Sequence, residues 1–82
     1  MSASPPEVVL DVRPDLARGQ EPFSKIMSAA RAVTPGGRLI LLAPFEPAPL
    51  YGVLEKLGFT HSTEKLGAGG FRVTFLLSPE GR

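Results

Sequence analysis

The chain contains no cysteine. That absence excludes disulfides, zinc sites built on thiolates and every reaction whose nucleophile is a thiol. His61 is the only histidine, so a structural metal site is not expected, and neither is a bound cofactor. Long apolar runs are also missing. The longest, LILLAPF at Leu39–Phe45, falls far short of the ~20 residues that a membrane-spanning helix needs. The opening MSASPPE lacks the positive start and apolar stretch of a signal peptide, so a cytoplasmic location is expected. Nor does charge of one sign dominate. Nine basic and eight acidic side chains leave a net charge of +1, with no Lys/Arg run, which argues against binding driven by phosphate neutralisation.

What is present bounds the fold. Eighty-two residues make one domain, 1–82, with a core expected over about 7–78. A domain of this size buries only about 60% of the surface its unfolded chain exposes, so its stability margin is thin. Nine prolines lower the entropy of the unfolded chain where the native φ is compatible. Tight packing and self-association are the other means open to a chain without disulfides.

The β-branched, apolar segment Glu7–Val12, bounded by Pro6 and Arg13-Pro14, reads as a first strand, and RPDLARGQE after it as a loop. Pro22 suits the first position of a helix, because its missing N–H costs nothing there. Phe23, Ile26, Met27, Ala30 and Val33 then fall on one apolar face, with Ser24, Lys25, Ser28 and Arg31 away from it. Glu21 is spaced to pair with Lys25. Pro35-Gly36 suits the centre of a type II turn. RLILLAPF is a second strand, apolar without alternation, the pattern of a strand covered on both faces. A second helix follows, with Pro49 near its first turn, Leu50, Val53, Leu54 and Leu57 as its buried stripe, and Gly58 at its end. Gly52 inside it suggests close packing against a neighbour. FTHSTEKL, GAGG and FRVTFLL read as a β-hairpin whose first, polar strand suits a sheet edge. The order β-α-β-α-β-β predicts an α+β, two-layer sandwich: a four-stranded mixed sheet, order 1-2-4-3, with two helices on one face.

With LDVR at Leu10–Arg13, Glu21-Pro22 at a helix start and PGG at Pro35–Gly37, the chain resembles the TusA/SirA-like sulfur carriers, and most closely a thiol-free, uncharacterised branch of that superfamily. The carriers place Cys-Pro-x-Pro at the helix start. Matching Glu21-Pro22 to its last two residues puts Gly19 in the cysteine slot and Gln20 in place of the first proline. Glycine cannot form a persulfide, so the resemblance implies the fold without the sulfur relay.

Two candidate sites follow. The helix start offers free N–H groups, and Asp11, Arg13, Arg18, Glu21 and Pro22 form a candidate ligand or partner site there. The competing expectations are that Glu21 or Asp15 already occupies those donors, and that Asp11 and Arg13 pin the loop as an ion pair. The second candidate is the sheet face without helices. Either Leu39 and Leu41 or Ile40 and Leu42 point into it, and Val9, Leu39, Leu41 and Leu76 are the candidate interface for a second copy or a protein partner; the competing expectation is that Arg38, Arg72 and the two tails lie across the patch and shield it. His61 is expected on the surface and Tyr51 at the core edge. GAGG lacks the Lys-Ser/Thr and the helix of a phosphate loop. The expectation is a non-enzymatic binding module that forms a homo-oligomer, a dimer, or meets a protein partner through the open sheet face. The alternatives are a small-anion sensor or enzyme at the helix start, and weak RNA binding through Arg31, Arg38 and Arg72.

Overall fold

The computed structural model describes residues 7–79. Four strands, β1 (Glu7–Asp11), β2 (Arg38–Ala43), β3 (Phe59–Lys65) and β4 (Phe71–Leu77), form one sheet in the order β1-β2-β4-β3. β1 and β2 are parallel, and the other neighbours are antiparallel. The mixed four-stranded sheet expected from the element order is therefore what forms. Three α-helices accompany it among the described residues, α1 (Arg13–Ala17), α2 (Phe23–Ala32) and α3 (Ala48–Lys56), and a 3-10 turn at Gly67–Gly69 joins β3 to β4.

The core lies on one side of the sheet. Leu39, Leu41, Val73 and Phe75 are at most 1% exposed, and Ile26 and Ala30 of α2 and Leu54 of α3 close over them. Side chains alternate along a strand, so register decides which residues share this side. Leu39 stands opposite Phe75 and Leu41 opposite Val73. Val9 stands opposite Ile40, which is opposite Thr74, and these point the other way. The candidate interface set is corrected accordingly. Leu39 and Leu41 are core residues, and Ile40 and Leu42 are the ones that join Val9 and Leu76 on the bare side, the one that no helix among the described residues covers. The unbroken apolar run of β2 does not mean cover on both faces; Arg38, Ile40 and Leu42 are only half-buried.

Several local expectations are also revised. The segment after β1 is not all loop. Pro14 fits a first helical turn, and the Leu16 N–H bonds the Val12 carbonyl at 3.0 Å to make α1. Asp15 is buried there and receives Lys25 Nζ of α2 at 2.7 Å, so Lys25 pairs with Asp15 instead of Glu21. α2 begins at Phe23, with Pro22 as its capping residue. In α3, Leu57 lies past the last turn and is exposed, and Gly52 packs against nothing, so close packing is not why it is glycine. Other turn features stand as expected. Thr34 O accepts the Gly37 N–H at 2.8 Å across Gly36, whose φ is 85°. Gly58, at φ 97°, follows the end of α3. In the hairpin turn Gly70 (φ 106°) leaves no room for a side chain, because a Cβ there would collide with the Ala43 carbonyl oxygen.

Candidate functional site

The carboxyl ends of β1 and β2 and the starts of α2 and α3 meet at one end of the sheet. This is where open α/β sheets form crevices, and here they enclose a cleft of about 260 Å³. Its floor is Val12, Leu41 and Ala43 from the strand ends. Leu16 of α1 and Pro22, Phe23 and Ile26 around the α2 start make one wall, and Phe45, Pro47, Pro49 and Leu50 make the other. Glu21 is the one charged residue of the lining among the described residues.

Local chemistry explains the lining. Three prolines sit where helices begin, and each lacks an N–H that would otherwise need a partner. The Phe23 N–H donates to Glu21 Oε1 at 3.0 Å, so a side chain of the chain itself occupies a donor that an incoming anion would need. The Leu50 N–H donates to the Pro47 carbonyl at 3.0 Å. The cleft is therefore apolar and poor in donors.

The five residues of the candidate ligand site are not brought together. Glu21 and Pro22 line the cleft. Asp11 and Arg13 pair with each other: Arg13 Nε donates to Asp11 Oδ1 and Nη2 to Oδ2, both at 2.9 Å, and the Arg13 N–H donates to Oδ1 at 3.0 Å. Arg13 Nη1 also donates to the Gly69 carbonyl at 3.0 Å, tying the end of β1 to the hairpin turn. The Arg13 hydrogen bonds hold the Asp11 carboxyl below its ordinary range, and the Lys25 bond lowers that of Asp15. Arg18 is exposed at the end of α1 and is not in the cleft lining. Gly19 is exposed at φ 75°, with nothing near its missing side chain, and it too stands outside the lining. Phe45, Pro47, Pro49 and Leu50 escaped the sequence reading as site residues. The signal for them was the proline-rich EPAP directly after a parallel strand, at the carboxyl end of the sheet.

The bare face forms three rows in register. Glu7, Arg38, Leu76 and Thr60 make the first; Val9, Ile40, Thr74 and Ser62 the second; Asp11, Leu42, Arg72 and Glu64 the third. Val9 is 60% and Leu76 44% exposed. Arg72 is bound to Glu64 at the β3 edge. On the helix side of the same edge, the Tyr51 ring stacks on His61 with centroids 3.8 Å apart, and its hydroxyl contacts Thr63 Oγ1 at 2.6 Å and Glu46 Oε2 at 3.1 Å. Burial raises the Tyr51 phenol above its ordinary value. Tyr51 thus covers the core edge as expected, and His61 is exposed but stacked.

Among the described residues, no helix is long and apolar enough to cross a membrane. No group of three or more histidine, cysteine or acidic side chains gathers there as a metal site. Comparison with curated proteins and with solved structures gave no match. A family model described as "Uncharacterized conserved protein (DUF2249)" matches residues 9–76, from Val9 in β1 to Leu76 in β4. The chain belongs to this family of uncharacterised conserved proteins, DUF2249.

Proposed function

We propose that this protein is a non-enzymatic binding module that pairs with a second copy of itself through the bare face of its sheet. The observation carrying this reading is the exposure of Val9 and Leu76 on the face that also holds the half-buried Ile40 and Leu42, four large apolar side chains on one face of a small chain. The charges on that face favour a copy as occupant. Glu7, Asp11 and Glu64 share the face with Arg38 and Arg72, so it carries both signs. A face with both signs can approach its own copy without net repulsion, whereas a single-sign face cannot.

The same reading makes the chain a thiol-free relative of the TusA/SirA-like sulfur carriers, working in the cytoplasm without sulfur relay. The missing cysteine supports the lack of sulfur relay, and the sheet order β1-β2-β4-β3 agrees with the fold that the resemblance implies. An enzyme or anion sensor at the α2 start is disfavoured by the separation of Asp11 and Arg13 from Glu21, and by the donor-poor lining. RNA binding is disfavoured because Arg31 lies on α2, which covers the other side of the sheet from Arg38 and Arg72, and because Arg72 is tied to Glu64.

Sedimentation equilibrium tests the pairing. The wild-type chain is expected to fit a monomer–dimer equilibrium at micromolar to hundred-micromolar concentration. Leu76→Glu, which places a carboxylate among these apolar side chains, is expected to remain folded and monomeric. A wild-type monomer throughout that range, or a Leu76→Glu variant that dimerises equally well, would overturn the reading.

A further inference from the structure

The cleft at the start of α2 lies on the helix side of the sheet, so pairing through the bare face leaves it open, and its lining has a definite chemical bias. Most of the lining is aliphatic, but each wall also carries an aromatic ring about half exposed to water: Phe23 is 44% and Phe45 55% exposed. A chain of this size gains from burying aromatic rings, yet two stand open at one cleft. Among the described residues the only charge in the lining is the Glu21 carboxylate. Features that would draw an anion are scarce. Pro22, Pro47 and Pro49 bring no N–H, the Phe23 N–H is held by Glu21, and Arg13 is turned away to Asp11 and Gly69. A carboxylate beside exposed aromatic faces suits a positive charge, which gains from the carboxylate by Coulomb attraction and from the rings by cation–π contact.

Volume limits the size of the occupant. An apolar cavity of about 150 Å³ takes up benzene. At about 260 Å³ the cleft has room for one ring or a short alkyl body with a compact charged head, and too little for a nucleotide or a flavin. We propose that this cleft binds a small free organic cation, with its apolar body against Leu16, Ile26 and Leu50 and its ammonium head at Glu21 between Phe23 and Phe45. The inference stands apart from the pairing reading, because none of these residues is on the bare face, and a monomeric chain would bind the cation equally well.

The test is an NMR titration of the ¹⁵N-labelled full chain with benzyltrimethylammonium chloride. Benzyl alcohol serves as the neutral probe, phenylacetate as the anionic one, and sodium chloride as the ionic-strength control. The cation is expected to bind saturably, with Kd on the order of 0.1–1 mM for so small a ligand. Shifts should be confined to amides lining the cleft, such as those of Leu16, Glu21, Ile26 and Leu50. Phenylacetate is expected to bind at least ~10-fold more weakly. Glu21→Gln keeps the oxygen that accepts the Phe23 N–H, and is expected to weaken the cation ~5- to 10-fold while leaving benzyl alcohol unchanged. Phe45→Leu keeps an apolar wall and is expected to weaken the cation ~3-fold or more. Phenylacetate binding as tightly as the cation, a Glu21→Gln variant that binds the cation undiminished, or no saturable shifts at the cleft would each overturn the proposal.

Discussion

The two faces of β2 are built from the same kinds of residue and have opposite fates. Leu39 and Leu41 are fully buried under the helices, whereas Ile40 and Leu42, their neighbours in sequence, look out on the bare side with Val9 and Leu76. Residue type does not separate them. Register does, through Phe75 and Val73 opposite the buried pair and Thr74 and Arg72 opposite the others. Burial on the covered face goes into folding. The apolar surface of the bare face, where Ile40 and Leu42 are only half-buried and Val9 and Leu76 exposed, contributes less to folding than the covered face does.

The sharpest way to break this comparison is to truncate the covered face. Leu41→Ala is expected to cost about 3–4 kcal/mol in urea denaturation, most of the stability of a domain this small. A cost below ~1 kcal/mol would mean the two faces are not energetically distinct. Gly70→Ala comes next, at about 2–3 kcal/mol, from strain at φ 106° and the collision with the Ala43 carbonyl. At Gly52, by contrast, a methyl group meets nothing, so Gly52→Ala is expected to raise the urea midpoint, by about 1 kcal/mol in stability.

Acidification probes the polar ties at the ends of the sheet. The folded-state pKa values of Asp11 and Asp15 lie below the ordinary 3.8, so between those values and 3.8 the unfolded chain binds more protons than the folded one. Stability from these carboxylates is present above about pH 4 and is lost as pH falls through their folded values. Asp15→Asn is expected to flatten that loss, as read from urea midpoints between pH 2 and 5; an unchanged slope would remove the Asp15–Lys25 pair from the account. The smallest effect is expected at the bare face, where Leu76→Thr should lower monomer stability by less than ~1 kcal/mol in dilute solution while weakening association.

How far the sequence could be read follows from the same contrast. Strand and helix positions were legible because alternation and 3.6-residue spacing are local: Phe71–Leu77 and Ile26–Ala30 declare themselves. The strand order followed from connectivity, since β1 and β2 are joined by helices and β3 and β4 by a tight turn. The orientation of β2 was not legible. An all-apolar run has no phase of its own, and the choice between Leu39/Leu41 and Ile40/Leu42 is made by partners thirty or more residues away. α1 was hidden because a single turn with two polar side chains looks like a loop until Lys25 reaches back to Asp15. Of the candidate site, Glu21 and Pro22 were found because helix starts have a local signature. Phe45 and Leu50 were missed because only the fold brings EPAP beside the start of α2.

The most direct measurement of the central claim is an isotope-filtered NOE experiment on an equimolar mixture of ¹³C-methyl-labelled and unlabelled chains. Contacts between copies are expected at the methyls of Val9, Ile40, Leu42 and Leu76, with none at Leu39 or Leu41. Intermolecular contacts confined to other surfaces, or none at concentrations up to a millimolar, would contradict it.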